Sequence, residues 1–269
     1  MELGISTSYS YSLDLEENIR MAAKQGFDFI SLGGKTSHSN YHKPDGRKRI
    51  KEILQTAKLR IDSIHAPFDP TCDLTQGEDI MLQSAITEVK RAISAASELE
   101  VRYVVVHLNF FRPGGLTDRI KRIQVSLPQV VKFAEENDVV IALENLDQES
   151  ELLYKFALDL IDSNYLKVCY DNGHEMLYRD NFELLSKYAD RLAVIHLHDN
   201  DSRSDLHKVP FTGKLDFNSL ASQLNKLERI PPITLECEMR SSGYGTLEAF
   251  LKDAFDNGKR FIKMLKRTA

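Results

Sequence analysis

Short apolar runs recur along this chain, and the stretches between them carry apolar residues at helical spacing. The opening segment, Met1 to Ser6, is strand-like. Residues 15–25 then hold Leu15, Ile19, Met21 and Ala22 at helical spacing, with Gly26 as a stop signal. Phe29 to Leu32 reads as a second strand, and Ile50, Ile53, Leu54 and Ala57 form a helical stripe within residues 47–59. Strands are predicted at 61–64, 103–106, 139–143, 166–170, 192–195 and 233–235. Helices are predicted at 78–99, 116–137, 151–163, 182–188, 217–227 and 246–265.

The strands are mostly apolar on both faces, as buried parallel strands are. Eight strand–helix units in 269 residues match the roughly 250 residues of a (β/α)8 barrel. The prediction is an α/β chain forming one TIM barrel domain over residues 1–269. A doubly wound open sheet is the alternative, but its site would gather at one switch point. Residues 33–45, 67–79, 109–115 and 199–216 form long polar loops after strands, on the face where barrel sites lie. The first and last of them are lid candidates by position.

Six of the strands run into a metal-ligand residue: His65, His107, Glu144, Asp171, His196 and Glu236. His174 follows three residues after Asp171, and Asp205 and His207 lie in the loop after the seventh strand. A single histidine at a strand end is ordinarily a polar cap, but Glu144 and Glu236 each adjoin apolar strand residues and need a charge partner. The mixed imidazole–carboxylate set suits zinc, manganese, cobalt or iron, and the lack of thiolate argues against a structural zinc. Nine donors exceed what one ion of coordination four to six can use, so the surplus serves further ions, substrate or ligand orientation. His196 and His198 share strand parity, as do Glu236 and Glu238. His196 and Glu236 lie nearer the apolar run and are favoured as ligands; His198 and Glu238 would point higher, toward substrate or solvent.

Composition narrows the setting. A net charge of −5, from 35 basic and 40 acidic residues, disfavours a protein held mainly by nucleic-acid phosphates. No run approaches the roughly 18 apolar residues of a membrane span. The strand-like start has no basic-then-apolar signal, so no leader peptide is expected. Three cysteines at irregular spacing fit neither a zinc knuckle nor a disulfide framework, which points to a reducing cytoplasm. Cys169 and Cys237 lie in predicted strands and read as packing residues. Gly34-Lys35-Thr36 ends like a phosphate-binding loop, but Phe29 stands where the first glycine belongs. His38 and His42 read as solvated loop residues. The cations Lys43, Arg47, Lys48, Arg49, Lys51, Lys58 and Arg60 read mostly as a solvated helix face, the first few close enough to the site rim to hold a phosphate.

At Ser63-Ile64-His65-Ala66-Pro67-Phe68, Leu143-Glu144-Asn145, Tyr170-Asp171-Asn172-Gly173-His174, Ile195-His196-Leu197-His198-Asp199-Asn200, Asp205-Leu206-His207 with Gly213 downstream, and Leu235-Glu236, the chain resembles the xylose isomerase-like barrel superfamily. That superfamily includes sugar isomerases and epimerases and the endonuclease IV class of abasic-site nucleases (AP endonuclease family 2). The resemblance covers nearly the whole chain. In its epimerase-like members one divalent ion is held by residues matching Glu144, Asp171, His196 (or His198) and Glu236. It implies that the glutamates Glu144 and Glu236 move a proton and that His174 contacts substrate, with His65, His107 and His198 as further substrate-binding candidates. In the nuclease class three zinc ions are held by a set to which Glu144, Asp171, His196, Glu236, His174, His207, Asp205, His65 and His107 could all correspond.

The expected function is therefore a divalent-metal-dependent isomerase or epimerase of a sugar or sugar phosphate, working through a metal-stabilised enediolate with one to three ions of zinc, manganese or cobalt. The alternative is a multi-zinc phosphodiesterase acting on abasic DNA, and a third reading is a non-catalytic binder that keeps the metal cage. Several departures weigh against the nuclease: the acidic balance, Asp69, Asp73, Glu78 and Asp79 in the loop after His65, and the sugar-enzyme-like Gly4-Ile5-Ser6-Thr7-Ser8 and Gly26-Phe27-Asp28. One departs from the isomerases: strand two ends Ser31-Leu32, where many of them carry a glutamate. The expected partner is a small carbohydrate, with no membrane and with self-association left open.

Overall fold

In the computed structural model, which describes residues 1–69, 72–108, 114–178 and 181–265, eight parallel strands stand in chain order around a closed ring. They are β1 (Leu3–Ser6), β2 (Phe29–Leu32), β3 (Arg60–His65), β4 (Tyr103–Val106), β5 (Val140–Glu144), β6 (Leu166–Asp171), β7 (Leu192–Leu197) and β8 (Ile233–Leu235). β8 pairs back onto β1, with Leu3 opposite Ile233 and Ile5 opposite Leu235. Closure rules out the open doubly wound sheet; the chain is a single-domain (β/α)8 barrel.

The helices are α1 (Leu15–Gln25), α2 (Thr36–Ser39), α3 (Pro44–Ala57), α4 (Asp79–Glu98), α5 (Leu116–Glu136), α6 (Glu151–Leu160), α7 (Asn172–Met176), α8 (Glu183–Lys187), α9 (Phe217–Leu224), α10 (Met239–Ser242) and α11 (Leu247–Met264). Local chemistry sets their ends. The Asp14 carboxylate accepts the N–H groups of Glu16 and Glu17 at 2.9 and 3.1 Å to open α1, and Gly26 closes it at φ +101°. Asp216 and Thr246 cap α9 and α11 in the same way. α3 begins three residues before its predicted start, because Pro44 at the first turn needs no N–H partner. α2, α7 and α10 are single turns too short to leave a periodic signal.

Most of the core lies between the strands and the surrounding helices, where residues such as Ile19, Ile50, Val89, Leu127, Leu220 and Phe261 are fully buried. Inside the ring, Val105, Ala142, Cys169 and Val194 form a second small cluster with Tyr103 and Ala193 against it. A Cβ at Gly4 would lie 2.1 Å from the Phe29 ring, so glycine there lets that ring fill the bottom of the barrel. Side chains therefore plug the lower barrel, and polar residues at the C-terminal strand ends are left to form a site. No helix among the described residues is long and apolar enough to cross a membrane.

Of the predicted loops, residues 109–115 fall largely outside the described residues. Residues 33–45 fold into α2 and the start of α3. The 199–216 loop is fastened rather than loose. Buried Asp199 accepts the N–H groups of Asn200 (2.8 Å) and Leu215 (3.1 Å) through Oδ1 and that of Gly213 (2.7 Å) through Oδ2. Asp199 and Lys208 also exchange backbone hydrogen bonds of 2.8 and 2.9 Å.

Candidate metal centre and active site

Strand parity brings the polar ends together. Glu144 stands opposite Cys169 in the β5–β6 register, and Asp171 opposite His196 in the β6–β7 register. Of the eight histidines in the chain, six converge here: His65, His107, His174, His196, His198 and His207. His38 lies apart, against the Leu13 carbonyl at 3.0 Å.

Glu144 is the hub. Its Oε2 meets His107 Nε2 at 3.0 Å and His65 Nε2 at 3.2 Å, and those two nitrogens lie 3.1 Å apart. Its Oε1 meets His196 Nδ1 at 3.1 Å, and the same nitrogen lies 2.9 Å from Glu236 Oε2. Asp171 Oδ1 accepts the His174 N–H at 2.8 Å and faces His198 Nε2 at 3.0 Å, while its Oδ2 is buried with no hydrogen-bond partner. Asp205 Oδ2 is shared by His207 Nε2 at 3.1 Å and His174 Nε2 at 3.2 Å.

Three of these imidazoles are oriented by backbone carbonyls. His65 Nδ1 lies 2.6 Å from the Ala66 carbonyl, His174 Nδ1 2.8 Å from that of Asn145, and His207 Nδ1 2.6 Å from that of Glu236. A carbonyl only accepts, so each Nδ1 carries the proton, and in the neutral ring each Nε2 is a bare lone pair. All three lone pairs face carboxylate oxygens. Lone pairs crowded in this way require a proton or a metal cation between them.

The electrostatics of the protein alone show the proton solution. Burial opposes charging at His196, but Cys169, Glu236 and Glu144 outweigh it and hold the imidazole well above its ordinary range. At His207 burial again opposes, and the Asp205 hydrogen bond and charge push it up to about 9. His174 is raised well above its ordinary range against burial, by Asp171 and Asp205. Reciprocally, despite burial, His196 and His107 hold Glu144 well below the carboxylate range, His174 and His198 hold Asp171 down, and His174 and His207 hold Asp205 down. Burial keeps His107 below the usual imidazole range.

Donor atoms within 4.8 Å of one another fall into overlapping groups: Glu144–Asp171–His196–Glu236, His65–His107–Glu144, His174–His198–Asp205–His207, and Glu144–Cys169–His196. Hard carboxylate oxygens mixed with imidazole nitrogens suit a divalent transition ion. The unpartnered Asp171 Oδ2 and the carbonyl-fixed Nε2 lone pairs are what such an ion would satisfy. The residues fit the group.

All nine donors anticipated from the strand ends and loops meet here. His198 does not face solvent: it is fully buried, 3.0 Å from Asp171 Oδ1 and stacked on His207 with ring centroids 4.0 Å apart. Glu238 turns its carboxylate to Arg240 instead. Sequence reasoning missed the asparagines that follow the strand-end acids. Asn145 accepts the Asp171 N–H at 2.8 Å and donates to its carbonyl at 2.9 Å. Asn172 repeats the device with His198, both bonds being 3.0 Å. Each side chain extends the parallel ladder one step past the strand end, and the Glu-Asn and Asp-Asn pairs in the sequence were the available signal. Phe68 was also missed: its ring lies 5.3 Å from that of His65 and 5.2 Å from that of His107, and it is 39% exposed.

A cavity of 390 Å³, lined by Ser8, Tyr11, Glu238, Arg240 and Tyr244 among others, opens beside this face. A larger one of 1200 Å³ lies at the opposite end of the barrel, against Arg60, Arg102, Lys167 and Pro232, away from every donor named above.

Residues 19–264 match the family model described as xylose isomerase-like TIM barrel. The chain is 25% identical over 239 residues to fructoselysine 3-epimerase of Shigella flexneri, covering 82% of this chain and 84% of the relative. Among solved structures it is similar to a D-tagatose 3-epimerase-like protein, with a TM-score of 0.81, 21% identity and 98% of each chain covered. It is also similar to a 3-keto-D-glucoside 4-epimerase from E. coli, with a TM-score of 0.76, 17% identity and 97% and 99% of the two chains covered.

Proposed function

We propose that this chain, which belongs to the xylose isomerase-like TIM barrel family, is a divalent-metal-dependent sugar epimerase or isomerase that moves a proton on and off a carbon next to a carbonyl. The observation that carries the reading is the pair Glu144 and Glu236, both meeting His196 Nδ1, at 3.1 and 2.9 Å, inside a four-donor group completed by Asp171. Support also comes from the relatives. In each of the three named substrates the inverted carbon adjoins a carbonyl, so one proton-transfer chemistry serves all of them.

Glu144, Asp171, His196 and Glu236 would hold the ion. When bound there, a divalent ion supplies Lewis acidity that polarises a carbonyl and makes the neighbouring C–H more acidic. The protein does the rest. Glu144 and Glu236 are two separate carboxylates beside one nitrogen, a pair that could remove a proton from one face of a carbon and deliver another to the opposite face. His174, held by the Asn145 carbonyl, is placed to orient a substrate oxygen. Phe68 offers an apolar surface at the mouth for the C–H face of a sugar.

The test is turnover of a ketose panel, including ketose phosphates, by wild type and Glu236→Gln. The variant should keep its fold and, assayed with excess divalent ion to offset the weakened ligand, should lose about 10²–10⁴-fold in kcat, the range of general acid–base catalysis. Wild-type rates in the variant would remove Glu236 from the chemistry.

A second reading has an observation of its own. His65 and His107 add two nitrogens to Glu144 Oε2, and His174, Asp205 and His207 form a further group, giving more donors than one ion uses. A three-ion phosphodiesterase acting on abasic DNA would use them all. Against it stand the formal net charge of −5 and the four acidic residues Asp69, Asp73, Glu78 and Asp79 in the loop beside His65, of which Asp73 is buried against Thr75 and Asp79 pairs with Arg122. About three zinc ions per chain, with incision of an abasic duplex, would favour this reading; about one ion would favour the epimerase.

A further inference from the structure

We propose that the 390 Å³ cavity beside the metal face is a subsite for a neutral, hydroxyl-rich substituent, so that the substrate is a glycosylated ketose and not a free ketose or a ketose phosphate. The proposal rests on the epimerase reading.

The cavity continues the site without containing its donors. Glu238 lines it two residues beyond Glu236, about 6.6 Å further on at the rise of a strand. Its N–H donates to the His207 carbonyl at 2.8 Å, and His207 is itself held on the Glu236 carbonyl. Tyr11 also lines the cavity. Burial chiefly pushes its phenol up to about 12, and the charges of Glu236 and Glu238 add to this, so the ring lies within electrostatic reach of both carboxylates. From Tyr11 the wall runs back to the donors through two glycines. A Cβ on Gly33 would lie 2.3 Å from the Tyr11 hydroxyl, and one on Gly34 would lie 2.6 Å from the Phe68 ring, which packs on His65 and His107. A carbon reacting at Glu236 therefore leaves this cavity to whatever the sugar carries beyond it.

The volume falls within the roughly 300–1,000 Å³ of small-molecule sites. Ser8, Ser10 and Ser12 bring hydroxyls to it. Ser8 donates to Ser6 Oγ at 2.8 Å and Ser10 pairs with Ser12 at 2.9 Å, which leaves each hydroxyl further hydrogen-bonding capacity. Tyr244 donates its hydroxyl to Asp253 at 2.8 Å and so offers the cavity its ring. His38 meets the Tyr11 ring edge-on, with centroids 5.2 Å apart, and steadies that wall. Hydroxyls beside aromatic faces match the mixed O–H and C–H surface of a sugar ring. Charge decides against a phosphate. Among the described lining residues Glu238 and Arg240 are the charged ones, and they pair with each other, so the lining carries no net charge. Lys35 lies over the Tyr11 ring, 5.6 Å from its centroid, and does not line the cavity. A phosphate placed there would face Glu238 with no cation of its own.

The test is deuterium entry from heavy water, read as kcat/KM with the metal-loaded protein. The substrates are D-fructose, maltulose and isomaltulose (glucosyl groups on O4 and O6 of fructose) and fructose 6-phosphate. A glycosyl ketose should exceed D-fructose by about tenfold, the worth of one or two net hydrogen bonds, and fructose 6-phosphate should fall below both. Ser12→Trp, a bulky side chain at an exposed point of the lining, should remove most of the glycosyl ketose's advantage, mainly through KM. Should that variant fold poorly, Arg240→Ala, at a side chain 85% exposed, should narrow the same advantage. D-fructose or its phosphate as the best substrate would overturn the subsite and leave the epimerase reading standing. An advantage kept in full by both variants would overturn the subsite as well. No deuterium entry into any of the four would overturn the epimerase reading, and the subsite with it.

Discussion

Asp199→Asn is a one-atom change with a calculable effect. The wild-type carboxylate takes three backbone N–H groups, two on Oδ1 and one, from Gly213 at 2.7 Å, on Oδ2. An asparagine would keep its oxygen toward Asn200 and Leu215, because the reverse orientation breaks two bonds instead of one. Its NH2 then faces the Gly213 N–H, donor against donor. Losing one hydrogen bond to a charged group costs about 1.5–3 kcal/mol, and the stranded N–H adds about 1–3 kcal/mol. Allowing for relaxation, the expected loss is about 3 kcal/mol, a large share of a typical total of about 5–15 kcal/mol. The assay is equilibrium urea unfolding of the metal-free protein, where the midpoint should fall at unchanged slope. The same loop carries Asp205 and His207, so cobalt affinity should weaken as well. A stability loss below about 1 kcal/mol would refute the view that Asp199 straps the loop.

Other perturbations follow from the same geometry. Gly173→Ala would place a Cβ 1.9 Å from the His198 ring, so it should destabilise the protein by about 1–3 kcal/mol and displace His198 from Asp171, both readable by thermal melts and histidine NMR. In the metal-free protein the raised His207 contributes stability that is fully present below its unfolded pKa of about 6.5 and lost as pH rises through about 9. Metal-free melting temperature should therefore fall across that window. Metal affinity should rise across it, because the ion must displace the protons on His174, His196 and His207, and calorimetry at several pH values would show both slopes.

Much of this was legible in the sequence because a parallel barrel repeats one rule. A buried strand is apolar until its C-terminal end, so His65, His107, Glu144, Asp171, His196 and Glu236 stood out as breaks in the pattern. Loop donors have no periodicity to mark them: Asp205 and His207 were readable only as an Asp-Leu-His element in the loop after the seventh strand. Parity separated His196 from the core but could not show that His198 would be buried, which depends on a loop returning to stack His207 over it. The start of α3 was misplaced because the apolar stripe begins a turn after Pro44 has set the backbone. Cys169 reads as packing from its apolar neighbours along the strand, and it does pack with Val105, Ala142 and Val194 inside the ring.

The central claim is that the Glu144–Asp171–His196–Glu236 group drives proton transfer at a carbon beside a carbonyl. The most direct measurement is proton NMR of ketoses incubated in heavy water with the metal-loaded protein. Deuterium should enter at the carbon next to the carbonyl as the epimer forms, stop on chelation and resume when the divalent ion is restored. Epimer formation without deuterium entry, or exchange undiminished by chelator, would contradict it.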